Sequence, residues 1–132
     1  MNRKVVFTNG CFDILHLGHL RLLEYCKSIG DILIVGLNSD ESVSRLKGPN
    51  RPINNQIQRK TMLESIRYVD EVRIFNDDTP LKLIEDLRPN IIVKGGDYLK
   101  EEVIGNSLAE VRIFNYVEGY STTKSIQNII NR

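Results

Sequence analysis

Val5–His19, VVFTNGCFDILHLGH, is the stretch from which both the fold and the chemistry of this chain can be read. An apolar run ends near Thr8–Asn9, Gly10 provides a tight turn, and a helix start carries His16-Leu17-Gly18-His19. Strand, glycine turn and helix start in that order make the first unit of an alternating α/β chain. His16 and His19 are the only histidines present, and at spacing i, i+3 both imidazoles share one helical face. The positive end of a helix favours an anion, and Gly18 lets a ligand approach the backbone closely. The pair therefore predicts a phosphate site. An ordinary turn glycine and a surface or packing histidine are the plain alternatives. A zinc site would need four ligands, and two His without a nearby Cys pair fall short.

Working outward, the stripe Leu22, Leu23, Cys26 and Ile29 carries the helix to about Ile29, with Arg21, Glu24 and Ser28 on the solvent side. Gly30 stops it. Asp31–Leu37 is a continuous apolar run, the pattern of a buried parallel strand. Asn38-Ser39-Asp40 caps a short helix with Val43 and Leu46 inward. Lys47–Ile53 is then a basic loop with two prolines and a glycine, expected to reach a polyphosphate and to be mobile enough to close over it. A solvated connection is the alternative. Gln56–Arg67 is the next helix, with Met62, Leu63 and Ile66 buried and Arg59 on the same face. An Arg continuing an apolar stripe needs an anionic partner. Either a ligand or an internal ion pair, to Asp70 or Glu71, would serve.

Glu71–Phe75 alternates as a third strand. Asp77-Asp78-Thr79-Pro80 reads as a helix start with proline at the first helical position, followed by inward Leu81, Ile84 and Leu87 and a stop at Pro89. Asn90–Val93 is a fourth strand feeding Lys94-Gly95-Gly96-Asp97-Tyr98, where paired glycines would let a base or ribose lie against bare backbone. Glu101–Ala109 is expected to be a short helical stretch and Val111–Val117 a fifth strand. Glu118–Lys124 then places Ser121, Thr122 and Thr123 at a helix start continued by Ile126, Ile129 and Ile130. Three hydroxyls and a Lys exceed the needs of capping and would suit phosphate oxygens. The alternation predicts a doubly wound five-stranded parallel sheet, with every unusual segment at the carboxyl ends of the strands.

The 132 residues suit one domain, 1–132. A composition 41% hydrophobic and 27% charged, with net charge +1, gives no reason to expect a nucleic-acid or membrane surface. No apolar run approaches a bilayer span, no signal-peptide pattern opens the chain, and Cys11 and Cys26 imply no disulfide framework. A cytoplasmic location is expected. Neither the dinucleotide G-x-G-x-x-G nor the Walker pattern occurs, against dinucleotide oxidoreductases and P-loop kinases. Cys11 at a helix start reads either as a small loop residue touching a nucleotide or as a low-pKa thiol.

His-x-Gly-His after a glycine turn, with a Ser-Thr-Thr helix start near the C-terminus, resembles the cytidylyltransferase-like nucleotidyltransferases, over nearly the whole chain. Thr8–Asp13, Arg45–Pro49, Val93–Tyr98 and Val117–Thr123 are most similar to the nucleotidyltransferase part of the ADP-heptose synthases. The resemblance implies transfer of AMP from ATP to a heptose 1-phosphate with release of pyrophosphate, for surface-polysaccharide biosynthesis. It also implies a Rossmann-like fold, a homodimer, and Mg2+ arriving with the nucleotide, since no carboxylate cluster makes a dedicated metal cage. On this view His16, His19 and Lys47 are catalytic. Asn9, Gly10, Cys11, Phe12, Gly18, Arg59, Lys94, Gly95, Gly96, Asp97, Glu118, Tyr120, Ser121, Thr122 and Thr123 hold the nucleotide, and Asp13, Asn38 and Arg51 the acceptor. Two departures from that pattern are Leu17, where Pro is common, and a short Gly105–Val111 segment. Transfer from CTP to glycerol 3-phosphate is the alternative within the family, weakened because Tyr116-Val-Glu-Gly119 lacks the Arg usual there. A nucleotide sensor without catalysis is the alternative outside it, and would not need both histidines.

Overall fold

The computed structural model describes residues 3–115 together with Ile126, Ile129 and Ile130. Its elements follow in order as β1 Val5–Gly10, α1 Leu17–Ser28, β2 Ile32–Asn38, α2 Asp40–Lys47, α3 Gln56–Glu64, β3 Glu71–Phe75, α4 Leu81–Leu87, β4 Ile91–Gly95 and β5 Glu110–Phe114. A single 3₁₀ turn, Lys100–Glu102, precedes β5. All strand pairs are parallel, in the order β3-β2-β1-β4-β5.

The central strands β1, β2 and β4 carry apolar runs because both of their faces are covered, whereas β3 and β5 at the two edges alternate. Val6, Leu33, Val35, Leu37, Ile91 and Val93 point to one face, where Leu22, Leu23 and Cys26 of α1 and Leu63 of α3 complete a core. Phe7, Ile34 and Ile92 point to the other, with Ile84 of α4, Val103 and Val111. The sheet is therefore doubly wound.

The order reverses between β1 and β4, the place where ligands bind in open α/β sheets. Here the reversal is accompanied by a parting of strands. β1 and β4 share only the positions Val6–Ile91 and Phe7–Ile92, whereas β1 and β2 stay paired as far as Gly10–Leu37. Past Phe7 the Thr8 hydroxyl donates to the Val93 carbonyl at 2.9 Å, and beyond that the two chains diverge.

Several expected details differ. α3 stops at Glu64 rather than Arg67, because Ser65 and Ile66 turn back onto its last carbonyls to lead into β3. Leu46, Met62 and Leu81 are exposed rather than inward, each near an end of a short helix that overhangs the sheet. Pro80 is the N-cap of α4 rather than its first residue. Only the 3₁₀ turn, and no α-helix, forms over 101–109: Gly105 has φ +89°, and its backbone lies so close to Ile92 and Ile84 that a Cβ would meet Ile92 Cδ1 at 2.8 Å. β5 spans Glu110–Phe114, and the expected continuation through Tyr116 and Val117 lies outside the described residues.

A second close approach sits at Gly36, where a Cβ would meet the ring of fully buried Phe7 at 2.7 Å. Gly36→Ala is expected to destabilise the fold by about 1–3 kcal/mol, the usual penalty of overpacking, measured as a lower urea midpoint at unchanged m-value.

Candidate active site

The turn after β1 is bent by Phe12, a bulky residue held at φ +44°. Such a conformation costs about 1–3 kcal/mol and persists only where its surroundings enforce it. Here the Phe12 ring is 4% exposed within the core and lies 5.3 Å from the His19 ring. The chain then enters α1 through a cap built from both histidines. His16 is the N-cap, its Nδ1 accepting the Gly18 N–H at 3.0 Å, while His19 Nδ1 accepts the His16 N–H at 3.2 Å. The two rings stack with centroids 3.9 Å apart.

This cap decides the protonation of both imidazoles. A ring nitrogen that accepts a backbone N–H carries no proton, so each neutral ring holds its proton on Nε2. Burial lowers the pKa of His16. Burial first, then the neighbouring His16 and Lys47, push His19 down to about 3. Both are neutral Nε2–H tautomers at neutral pH, suited to donate hydrogen bonds and unsuited to supply formal charge.

The parted ends of β1 and β4 open a cavity of about 480 Å³. Asn9, Gly10, Cys11, Phe12 and His19 form one wall, and Lys94, Gly95, Tyr98 and Ile104 the wall across from it. Asn38, Leu46 and Lys47 enter from the β2 side, and Asp78, Thr79 and Pro80 close the end. Lys94 Nζ lies 4.8 Å from the centre of the Tyr98 ring, and burial lowers its pKa. Burial raises the pKa of the Cys11 thiol against the opposing pull of Lys47, Arg59 and Arg51. That corrects the low-pKa alternative for this cysteine. Neither Lys47 nor Lys94 has a carboxylate partner among the described residues, so the cavity attracts anions.

Other expected site residues serve as scaffold. Arg59 is 1% exposed. Its partner is Asp40, at 2.8 Å, rather than a ligand, Asp70 or Glu71. Asp70 instead pairs with Lys27 and Glu71 with Arg73. Asp13 is buried and accepts the Ile53 and Asn54 N–H groups at 2.7 and 2.8 Å and Arg51 Nε at 3.3 Å. The basic loop is thus clipped down at Arg51–Asn54 rather than loose along its length, and Asp13 has no part in lining the cavity. Gly18 is buried beneath the rings, while Gly96 and exposed Asp97 lie past the lining, with Gly96 N–H held by Phe114 O. Glu118, Tyr120, Ser121, Thr122 and Thr123 lie outside the described residues.

The cavity also contains residues that the sequence reading passed over: Leu46, Asp78, Thr79, Pro80, Tyr98 and Ile104. A signal existed for four of them: Tyr98 ends the Lys94–Tyr98 turn that the sequence singles out, and the other three form one segment. Asp78-Thr79-Pro80 follows the carboxyl end of β3 closely, as the other unusual segments follow their strands, but capping alone had accounted for it.

Comparison with known proteins agrees with this fold. A family model described as cytidylyltransferase-like matches residues 7–128. Bifunctional protein HldE from a Nitratiruptor species is 55% identical, and that from Helicobacter pylori 56% identical, each over 128 residues. Each match covers 96% of this chain and 28% of the relative, so the chain spans under a third of the length of these curated relatives. The lipopolysaccharide core biosynthesis protein from Thermoplasma volcanium superposes with a TM-score of 0.74 at 28% identity, covering 91% of this chain and all of that one. A pantoate-beta-alanine ligase from Francisella tularensis has a TM-score of 0.57 at 15% identity, covering 98% of this chain and 72% of that one, a likeness of fold alone.

The histidine cap predicts a pH dependence. The pKa of His19 lies below its unfolded value of 6.5, so the unfolded chain takes up the proton first. The stabilisation is complete above 6.5 and drains away as the pH falls towards about 3. Thermal midpoints of the wild type should fall through this window more steeply than those of His19→Gln, which has no imidazole to titrate. Parallel curves would overturn the assignment.

Proposed function

This chain belongs to the cytidylyltransferase-like family of nucleotidyltransferases, and from that premise we propose that it transfers AMP from ATP to a sugar 1-phosphate, a heptose 1-phosphate, releasing pyrophosphate and forming ADP-heptose for surface-polysaccharide synthesis. The observation that carries the reading is the pair of stacked, neutral imidazoles capping α1 beside a cavity with two lysines. The heptose and the choice of ATP rest on the motif resemblance and on the HldE relatives. A homodimer in the cytoplasm is the setting proposed for it.

In the proposed reaction an oxygen of the acceptor phosphate attacks the α-phosphorus in line. The new O–P bond forms as the bond to the β-phosphate oxygen breaks, and pyrophosphate departs with that electron pair. A phosphate monoester is already nucleophilic near neutral pH, so no general base is required. Catalysis then rests on alignment and on stabilising charge at the phosphoryl oxygens. The Nε2–H groups of His16 and His19 donate to those oxygens, and Lys47 and Lys94 balance the polyphosphate charge. Magnesium enters as part of the nucleotide substrate. Arg51 Nη2 is buried and has no hydrogen-bond partner among the described residues, which supports its role as an anchor for the incoming phosphate. Arg51 itself lies outside the cavity lining, whereas Asn38, also proposed for the acceptor, is part of it. Ser121, Thr122 and Thr123 would hold the leaving pyrophosphate, with Glu118 and Tyr120 against the nucleotide.

Pyrophosphate release should occur with ATP and heptose 1-phosphate and be much weaker with CTP or with glycerol 3-phosphate. A preference for CTP would keep the chemistry and change the substrate, and silence with all four pairs would sink the reading. His16→Ala and His19→Ala should each lower kcat about a hundredfold, the scale of losing one preorganised donor, when assayed where both variants remain folded. Near-normal turnover in both would remove the histidines from the mechanism.

A further inference from the structure

Arg59 is the largest fully buried side chain among the described residues and lies outside the cavity lining, yet two of its acceptors, Cys11 and Asn38, belong to that lining. Nη1 donates to the carbonyls of Cys11 and Asn38, each at 2.8 Å. Those residues stand at the carboxyl ends of β1 and β2, just beyond the last shared position, Gly10–Leu37. The guanidinium therefore supplies the rung that the two strands no longer make between themselves. Nη2 reaches Asp40 Oδ1 at 2.8 Å and Nε the Asn54 carbonyl at 2.9 Å. Asp40 is the first residue of α2, whose last residue is Lys47, and Asn54 closes the loop that returns from it.

One side chain thus holds both ends of the excursion 40–54 and the cavity residue facing it. The geometry points to Arg59 as a positioning residue: it fixes Lys47, across the length of α2, at a set distance from the Cys11 backbone and the histidine pair. The planar fork is what allows this, since five donors in one plane meet four acceptors on three segments. A lysine would keep the charge and lose the span. The inference rests on the proposed role of Lys47 in balancing phosphate charge.

A double-mutant cycle tests it. Arg59→Lys should lower kcat by about tenfold to a hundredfold, the effect of a misplaced group, with a smaller change in KM for ATP. In a Lys47→Ala background the same substitution should cost less than about twofold, because the group it positions is gone. Losses that multiply, or wild-type turnover in Arg59→Lys, would overturn the inference. If Arg59→Lys does not fold cooperatively, the cycle is run with Asp40→Asn at the exposed end of the network, expecting a smaller loss that again disappears without Lys47.

A readout independent of the reaction separates this inference from the functional reading. Cys11 is half-buried on the cavity wall and Cys26 is fully buried, so iodoacetamide acting on the native protein reports on Cys11. Release of its carbonyl in Arg59→Lys should raise the alkylation rate by about threefold or more, whatever substrate the site takes. An unchanged rate would overturn the tether. Absence of wild-type turnover with altered alkylation would overturn the substrate assignment and leave the tether in place.

Discussion

The cavity exists because β1 and β4 pair over only two positions. Neighbouring strands of an open parallel sheet normally stay paired along their length, and a crevice appears where the connections from two adjacent strands leave in opposite directions. Here β1 departs towards α1 and β4 towards the 3₁₀ turn, and the Thr8 hydroxyl on Val93 O marks the last link between them. Everything of chemical interest is arranged around that parting. The strained turn at Phe12, His19 of the histidine cap and the lysine of β4 line it, and Lys47, the last residue of α2, lines it as well.

Charge is distributed unevenly around this crevice. The buried cations carry internal partners: Arg59 has Asp40, and Arg51 has Asp13. On the rim Arg45 has Asp78. The two lysines that face the cavity have none among the described residues. Buried charge without a partner is costly, so Arg59 is neutralised within the scaffold, Arg51 is held by Asp13 through one nitrogen while Nη2 has no partner among the described residues, and the positive charge of those two lysines lies at the cavity. The neutral imidazoles add no charge of their own, which spares the site further repulsion between cations.

The architecture was legible because its strands are covered on both faces. A run such as Asp31–Leu37 needs no tertiary information to be read as a buried strand, and the alternation with helices then implies the winding. Leu46, Met62 and Leu81 were misread because apolar periodicity marks a helical face but not how far a helix extends past the sheet. The histidines were legible since their spacing is local. Arg59 was recognised as needing an anion, but its partner lies on another element, and Asp40 could not be told from Asp70 or Glu71 without the packing of α2 against α3. Asp13 and Arg51 pair across thirty-eight positions of sequence, and the clip they form on the basic loop is invisible to any local pattern. Thr79 and Pro80 were hidden by a sufficient explanation, since a helix start accounted for them fully.

The cap of α1 has a bearing on how such a protein would respond to selection. Ser, Thr, Asp and Asn are the side chains that cap helices well, and replacing a good cap by a poor one costs about 0.5–2 kcal/mol. An imidazole serves here only while it is neutral. A population screened for thermal resistance alone should therefore drift towards oxygen-bearing side chains at position 16, and one screened for growth should not. The residue found at that position in a laboratory lineage would record which of the two demands had been imposed on it.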